Sequence, residues 1–135
     1  MNIFDKLFGN KVKRVLLVED DVPLRKFIAD RLLENGYDVI ETGDGEGAVG
    51  LMVEHSPNVV VLDVMLPGKN GMQILAEFRE LDKQTPVIML TTLSGEGGLR
   101  LKATKLNAVF LNKADTSLEV VIDTIVRHAE QKVTK

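Results

Sequence analysis

Residues 59–71 read VVVLDVMLPGKNG: a run of four apolar residues, then Asp63, then a segment in which Pro67 and Gly71 stand four and eight residues after that acid. A continuous apolar run rich in Val and Leu is typical of a strand that other elements cover on both faces. The stretch therefore predicts a buried strand with a carboxylate at its carboxyl end.

Four other short apolar blocks of the same character are spread along the chain. The starts of the five blocks lie roughly 20 to 28 residues apart, which is the length of one strand plus one crossover helix with its loops. The other four blocks are Val15–Val18, Asp38–Ile40, Val87–Leu90 and Ala108–Leu111. This spacing predicts strands that alternate with helices.

The stretches between the blocks carry apolar residues at helical spacing. The clearest stripes are Leu24, Phe27, Ile28 and Leu32; Ile74, Leu75 and Phe78; and Leu118, Val121, Ile122 and Ile125. Asp21 is expected to cap the first helix, and Asn35 with Gly36 to end it. We therefore predict an α/β fold, in which a five-stranded parallel sheet with right-handed crossovers carries helices on both faces.

Composition excludes several classes of protein. The 135 residues are 44% hydrophobic and 27% charged, as in one globular domain. Lys and Arg number 17 against 20 Asp and Glu, so the net charge of −3 offers nucleic acid no chain-wide positive field. The lack of cysteine excludes disulfides and thiolate chemistry. Because no apolar run approaches the roughly 18 residues that cross a bilayer and no secretory signal is recognisable, we expect a cytoplasmic protein.

Polar side chains stand where the predicted strands end. Glu19 and Asp20 follow the first strand, Asp63 follows the third, Thr91 ends the fourth and Lys113 follows the fifth. Ligands of open parallel sheets bind outside these carboxyl ends. The five side chains are therefore expected to share one site.

The carboxylates of this cluster point to a metal ion. Clustered carboxylates resist ionising together unless a cation lies among them. Because the cluster offers oxygen ligands without cysteine or a nearby histidine, the expected ion is Mg²⁺, or Mn²⁺ in its place. A carboxylate can itself accept a phosphoryl group while the metal and an adjacent lysine neutralise the transferring oxygens. The cluster therefore predicts a phosphoryl-transfer site.

Four motifs, arriving in this order, give the chain a resemblance to the receiver domains of bacterial response regulators over residues 13–130. They are LVEDD at 17–21, DVMLPGKNG at 63–71, PVIMLT at 86–91 and FLNK at 110–113. The spacing of Pro67 and Gly71 after Asp63 is a specific signal. The resemblance implies a flavodoxin-like (βα)5 arrangement with strand order 2-1-3-4-5, and a phospho-acceptor regulatory domain rather than an enzyme.

The resemblance also implies which residues carry the chemistry. Asp63 would accept the phosphoryl group from a sensor histidine kinase or a histidine phosphotransfer protein. Asp20 would bind Mg²⁺ directly, Glu19 would bind it through water, and Met65 would contribute its backbone carbonyl.

Three further residues would form a switch. The resemblance puts Thr91 and Lys113 against the phosphoryl oxygens, and Phe110 at the family's aromatic switch position. A new dianion on the acceptor attracts the threonine hydroxyl and the lysine, which draws the loop after the fourth strand inward and leaves space for the aromatic ring. The surface of the fourth helix, fifth strand and fifth helix would then change its contacts with a downstream protein.

The sequence departs from the family's usual pattern at several places, and two features bear on the chemistry. Ala114 follows Lys113 where the family usually has proline, so we expect a trans Lys113–Ala114 bond and a different placement of the lysine. Met65 and Leu93 lie where the family tunes water access, and both are apolar. Since neither side chain can orient an attacking water, slow dephosphorylation is a hypothesis, with ordinary packing as the alternative.

Three alternatives belong to other classes of protein. GEGAVG at residues 45–50 has the GxGxxG spacing of a dinucleotide-binding loop, but it follows the second strand and carries acid that would repel a pyrophosphate. A haloacid-dehalogenase-like phosphatase needs a second Asp two residues after the nucleophile, where Met65 stands. A flavodoxin needs a donor-rich loop for the FMN phosphate, where EDD stands at residues 19–21.

The expected boundaries are an N-terminal extension at residues 1–12, a receiver domain at 13–130 and a tail at 131–135. Residues 3–8 would form a two-turn apolar face that packs on the domain or docks on a partner or membrane. An isolated helix of this length is marginal in water, which favours a frayed tail or packing on the domain over docking. The sequence leaves open whether the chain acts alone or is a piece of a larger regulator.

Overall fold

A parallel sheet of five strands forms the centre of the computed structural model, which describes residue 3 and residues 12–93 and 98–131. The strands are β1 (Arg14–Val18), β2 (Asp38–Thr42), β3 (Val59–Leu62), β4 (Val87–Thr91) and β5 (Ala108–Asn112). Their spatial order is β2-β1-β3-β4-β5. This order confirms the flavodoxin-like arrangement, and each strand agrees with its predicted block to within two residues.

Helices cover both faces of this sheet. They are α1 (Val22–Glu34), α2 (Ala48–His55), α3 (Gly71–Leu81), α4 (Leu99–Lys105) and α5 (Leu118–Ala129). On β1, Leu16 and Val18 pack with residues of α2, α3 and α4, whereas Val15 and Leu17 pack with residues of α1 and α5. The strand is a continuous apolar run because both of its faces are buried.

Capping side chains fix where three helices begin, one of them α5, where Ser117 accepts a hydrogen bond from the Val120 N–H at 3.2 Å. Asp21 accepts a hydrogen bond from the Leu24 N–H at 3.1 Å at the start of α1, as the sequence predicted. Asn70 and Gln73 form a capping box at the start of α3. Because α3 follows directly on the loop after β3, this box also fixes the segment that carries Asp63.

Two residues of the predicted helical stripes, Phe27 and Leu118, are exposed, and Leu24 is half-buried. Phe27 is 38% exposed, and the Arg31 guanidinium lies over its ring at 5.7 Å. Ala29 is buried on α1 instead, and Leu118, the first residue of α5, is exposed. These positions lie at the borders of the apolar stripes, where spacing alone does not show which side chains meet the sheet.

A buried arginine fixes the amino edge of the sheet on the face covered by α3 and α4. Arg79 Nε donates to the Leu106 carbonyl at 2.7 Å, and its two Nη atoms donate to the carbonyls of Asp82 and Asn107 at 3.0 Å each. Burial lowers the pKa of Arg79. These bonds join the end of α3 to the segment that connects α4 with β5.

No helix in the described part of the chain is both long enough and apolar enough to cross a membrane. The apolar face predicted at residues 3–8 lies, apart from Ile3, outside the described residues.

Tyr37, the single tyrosine, provides a test of the packing between the start of β2 and the end of α5. Its hydroxyl donates a hydrogen bond to Glu130, and burial together with that carboxylate raises the pKa of Tyr37 to about 12. We expect tyrosinate absorbance to rise with a midpoint near pH 12 in the folded protein and near 10 in urea. Stability should therefore fall as the pH rises from about 10 to about 12. A folded-state midpoint of about 10 would contradict this packing.

Candidate functional site

Three carboxylates meet at the carboxyl edge of the sheet. Glu19 and Asp20 follow β1, and Asp63 follows β3; the two strands are neighbours, with Val18 paired to Leu62, so their ends are adjacent. One oxygen of each carboxylate lies within 4.8 Å of the other two. Glu19 is 2% exposed and Asp63 5% exposed, whereas Asp20 is open to solvent. The cluster therefore has a buried floor and an accessible side.

Lys113 lies between two of these carboxylates. Its Nζ is 2.6 Å from Glu19 Oε1 and 2.8 Å from Asp63 Oδ2. Burial lowers the pKa of Lys113, but the hydrogen bonds and charges of the two carboxylates outweigh burial and raise the pKa overall. The ammonium therefore stays charged and holds the two buried acids together.

Glu19 is held in one orientation. Its Oε2 accepts a hydrogen bond from the Asp21 N–H at 3.0 Å, and its main-chain carbonyl accepts one from Arg25 at 2.7 Å. Arg25 also pairs with Glu41 of β2 at 3.5 Å. Burial raises the pKa of Glu19, whereas Lys113 and the Asp21 N–H lower it. The effect of burial is larger, so the pKa of Glu19 is raised overall. The loop with the paired acids is thus tied to both α1 and β2.

Asp63 has partners for both carboxylate oxygens. Oδ1 accepts from the Met65 N–H at 3.1 Å and Oδ2 from Lys113 at 2.8 Å. Behind it, the Gly71 N–H donates to the Val64 carbonyl at 2.8 Å. A Cβ on Gly71 would lie 2.0 Å from the Asp63 carbonyl oxygen. Only glycine permits this approach, which accounts for the spacing of eight residues.

Thr91 ends β4 with its side chain fully buried. Its Oγ1 accepts a hydrogen bond from the Leu93 N–H at 3.2 Å. Among the residues that the structure describes, no oxygen accepts the hydroxyl proton of Thr91. A hydroxyl keeps its donor function while accepting, so Thr91 can still donate one hydrogen bond.

Phe110 is buried between the sheet and the helices on the α3 and α4 side. The Arg100 guanidinium lies over its ring at 4.6 Å and donates to its carbonyl at 3.3 Å. The ring therefore already occupies an inward position in this structure. Its predicted movement into a vacated space stays a prediction.

The loop after β5 corrects one expectation from the sequence. No peptide bond in the described residues is cis, so the Lys113–Ala114 bond is trans, as expected. The lysine is nevertheless not displaced, since its ammonium reaches both Glu19 and Asp63. Asn112 Oδ1 accepts a hydrogen bond from the Ala114 N–H at 2.7 Å and thereby shapes this turn.

The donor set fits a hard divalent cation. The three grouped side chains provide carboxylate oxygens, the ligands that Mg²⁺ prefers, and the exposed Asp20 leaves room for the waters that this ion retains. Met65 follows Asp63 by two residues, and its N–H points to the carboxylate. Its carbonyl as a metal ligand remains a prediction.

Sequence reasoning missed two residues that support the site, Arg25 and Asn112. Each is a single polar residue with no periodic pattern around it. The one usable signal was at Asn112, because asparagine readily accepts a hydrogen bond from the backbone two residues further on.

The family comparison agrees with this geometry. A family model described as the response regulator receiver domain matches residues 15–126. The chain belongs to this receiver domain family. Receiver domains are regulatory phospho-acceptor domains of two-component signalling systems.

Solved receiver structures support the same assignment. The BeF3-activated N-terminal receiver domain of RstA from Klebsiella pneumoniae is 28% identical, with a TM-score of 0.78, and the match covers 88% of this chain and all of that one. The non-phosphorylated HemR receiver domain from Leptospira biflexa is 26% identical, with a TM-score of 0.82 and coverage of 91% and 98%. A chain of the CheX–CheY–BeF3–Mg²⁺ complex from Borrelia burgdorferi is 27% identical, with a TM-score of 0.76 and coverage of 89% and 90%.

Within this receiver domain, the GxGxxG segment has a packing role. A Cβ on Gly45 would lie 2.1 Å from the Lys69 carbonyl oxygen, and the Gly45 N–H donates to the Pro67 carbonyl at 3.2 Å. The segment therefore supports the loop that follows Asp63. This contact accounts for the first glycine without a dinucleotide.

Proposed function

We propose that this receiver domain accepts a phosphoryl group on Asp63 from a phosphorylated histidine of a sensor kinase or phosphotransfer protein. The observation that carries the proposal is the contact of the Lys113 ammonium with Asp63 Oδ2 at 2.8 Å inside a cluster of three carboxylates. Such a lysine lowers the cost of adding negative charge to an acid that is already buried. A phosphatase of the haloacid dehalogenase class would need an acid where Met65 stands.

In the proposed reaction, an oxygen of Asp63 attacks the phosphorus of the donor. A P–O bond forms while the P–N bond to the histidine breaks, and the electron pair of the broken bond stays on the imidazole. Lys113 neutralises charge on the transferring oxygens, and the Thr91 hydroxyl supplies a hydrogen bond to one of them.

The residues that would hold Mg²⁺, or Mn²⁺ in its place, are Asp20, Asp63, Glu19 through water, and the carbonyl of Met65. When bound, the ion would neutralise charge on the phosphoryl oxygens. The support for this assignment is the distance of at most 4.8 Å between carboxylate oxygens of the three acids.

The output would be a change in protein contacts. Movement of Thr91 and Lys113 toward the phosphoryl group, with Phe110 adjusting, would reshape the surface of α4, β5 and α5, where a downstream protein binds. Moving such an equilibrium from 1:99 to 99:1 takes about 5.5 kcal/mol of preference for one packing. The proposed setting is the cytoplasm, with protein partners and no direct contact with nucleic acid.

Acetyl phosphate tests the proposed acceptor without a cognate kinase. The wild-type protein should gain the mass of one phosphoryl group in the presence of Mg²⁺ and none in the presence of EDTA, measured by intact mass spectrometry. The group should be labile to hydroxylamine, as an acyl phosphate is. A gain that is independent of the divalent ion, or a stable phosphoester, would contradict the proposal.

The side chains beside Asp63 should make the acyl phosphate long-lived. Met65 is 56% exposed next to the cluster and Leu93 lies on the same groove, and neither offers a group that orients water. Met65→Asn should release phosphate about tenfold faster than the wild type in a single-turnover assay, because its amide can position an attacking water. Val53→Asn, at an exposed site on α2, is the matched control. Faster release from the wild type than from Met65→Asn would refute the hypothesis.

A further inference from the structure

Asn112, the last residue of β5, lies between the two loops that border the phosphorylation site. It pairs with Thr91 across the β4–β5 ladder, so its neighbour Lys113 leaves the sheet directly beside the loop after β4. The described residues contain no other hydrogen bond from a side chain of one of these loops to the backbone of the other.

The oxygen of the Asn112 side chain fixes the backbone around Lys113. Oδ1 accepts from the Ala114 N–H at 2.7 Å. The Asp115 N–H donates to the Asn112 carbonyl at 3.3 Å, and the Lys113 N–H donates to the Thr91 carbonyl at 2.8 Å. Lys113 is therefore fixed by its own N–H on β4 and by the hydrogen-bonded turn from Asn112 to Asp115. No proline restricts the backbone of this segment.

The nitrogen of the same side chain reaches the other loop. Asn112 Nδ2 donates to the Leu93 carbonyl at 3.2 Å. The Leu93 N–H in turn donates to Thr91 Oγ1 at 3.2 Å. One amide group thus connects the turn of Lys113 to the residue that orients the Thr91 hydroxyl.

We propose that Asn112 is a positioning residue for the phosphorylation of Asp63. Its Oδ1 sets the turn that aims Lys113, and its Nδ2 holds the loop after β4 so that the Thr91 hydroxyl and the Lys113 ammonium approach the same group together. The inference rests on the proposed function, because both side chains matter only if phosphoryl transfer occurs on Asp63.

Two variants separate the two contacts. Asn112→Ala removes both of them. Asn112→Ser keeps a short acceptor that can close the turn at Ala114 but does not reach Leu93. Asn35→Ala is the matched control, because the Asn35 side chain also bonds a backbone carbonyl, that of Arg31 at 2.7 Å, but does so at the end of α1 far from the site.

The measurements are the rate of phosphorylation by acetyl phosphate at saturating Mg²⁺, amide hydrogen exchange at Leu93, and the urea midpoint of unfolding. We expect Asn112→Ala to slow phosphorylation about tenfold, since small misplacements of a catalytic group cost at least that much. Asn112→Ser should restore only part of this rate, because it closes the turn at Ala114 but does not hold the loop after β4. Both variants should exchange the Leu93 amide about tenfold faster than the wild type, because the loop opens more often.

The outcomes distinguish this inference from the proposed function. A wild-type protein that gains no phosphoryl group would overturn the proposed function, and Leu93 exchange would still decide whether Asn112 holds the loop. A rate for Asn112→Ala within about twofold of the wild type would overturn the inference alone. An equal loss of rate in Asn35→Ala at a matched urea midpoint would also overturn it, since that result would indicate a general effect of stability.

Discussion

An Asp63→Asn protein is expected to gain no phosphoryl group from acetyl phosphate and Mg²⁺, under conditions in which the wild type gains one. The amide that replaces the carboxylate is not a nucleophile toward phosphorus, so the loss should be complete rather than partial. The amide oxygen can still accept the Met65 N–H that Asp63 Oδ1 accepts at 3.1 Å, so the variant should remain folded. Intact mass, with circular dichroism for the fold, measures both.

The neighbouring acid provides the control for this variant. Asp20→Asn retains Asp63 and removes one proposed metal ligand. It should gain the phosphoryl group more slowly than the wild type and approach the wild-type rate as the Mg²⁺ concentration is raised. A phosphoryl gain that survives in Asp63→Asn but not in Asp20→Asn would show that Asp20, and not Asp63, is the acceptor.

Gly71→Ala is expected to destabilise the fold by about 4 kcal/mol or more, which places it among the most severe single substitutions. The new Cβ would lie 2.0 Å from the Asp63 carbonyl oxygen, 2.8 Å from the Asp63 carbonyl carbon and 2.9 Å from Val64 Cα. All three atoms belong to the backbone, so no side chain can turn away to relieve the contact. Since domains are stable by only about 5–15 kcal/mol, urea denaturation should show a much earlier midpoint or no native baseline.

The same substitution at Gly50 should have the opposite sign. Gly50 lies inside α2, and a Cβ there meets no atom within 4 Å. Alanine should therefore stabilise the protein by about 0.5–1 kcal/mol through its lower backbone entropy in the unfolded chain. A difference of less than about 1 kcal/mol between the unfolding free energies of the two alanine variants would contradict the close approach of Gly71 to the Asp63 carbonyl.

The meeting of the carboxylates was predictable because it follows from topology. Glu19 and Asp63 each follow an apolar run, and adjacent parallel strands must bring their carboxyl ends to one edge. The contact of Lys113 with both acids was not predictable. It depends on how the turn after β5 directs one long side chain, and the missing proline suggested a displacement that the structure does not have.

The sequence also did not predict which residues at the borders of the apolar helix stripes are buried. Phe27 fits the helical spacing as well as Ile28 does, yet only Ile28 is buried, because the sheet and α5 leave room for a narrow part of α1. Support from Arg25 and Asn112 comes from individual hydrogen bonds, those of Arg25 to the Glu19 carbonyl and of Asn112 to Leu93 and Ala114. Such bonds leave no period in the chain from which to predict them.

Two of the carbonyl bonds of Arg79 have a mechanical consequence for α4, the helix next to the proposed phosphorylation site. The bonds to the Leu106 and Asn107 carbonyls, at 2.7 and 3.0 Å, anchor the carboxyl end of α4. Near the other end, Arg100 donates one longer bond, to the Phe110 carbonyl at 3.3 Å. When the loop after β4 is pulled toward Asp63, α4 is expected to swing as a lever about its anchored end. The displacement that a bound protein senses should therefore grow from almost nothing at Leu106 to its full amplitude at Leu99.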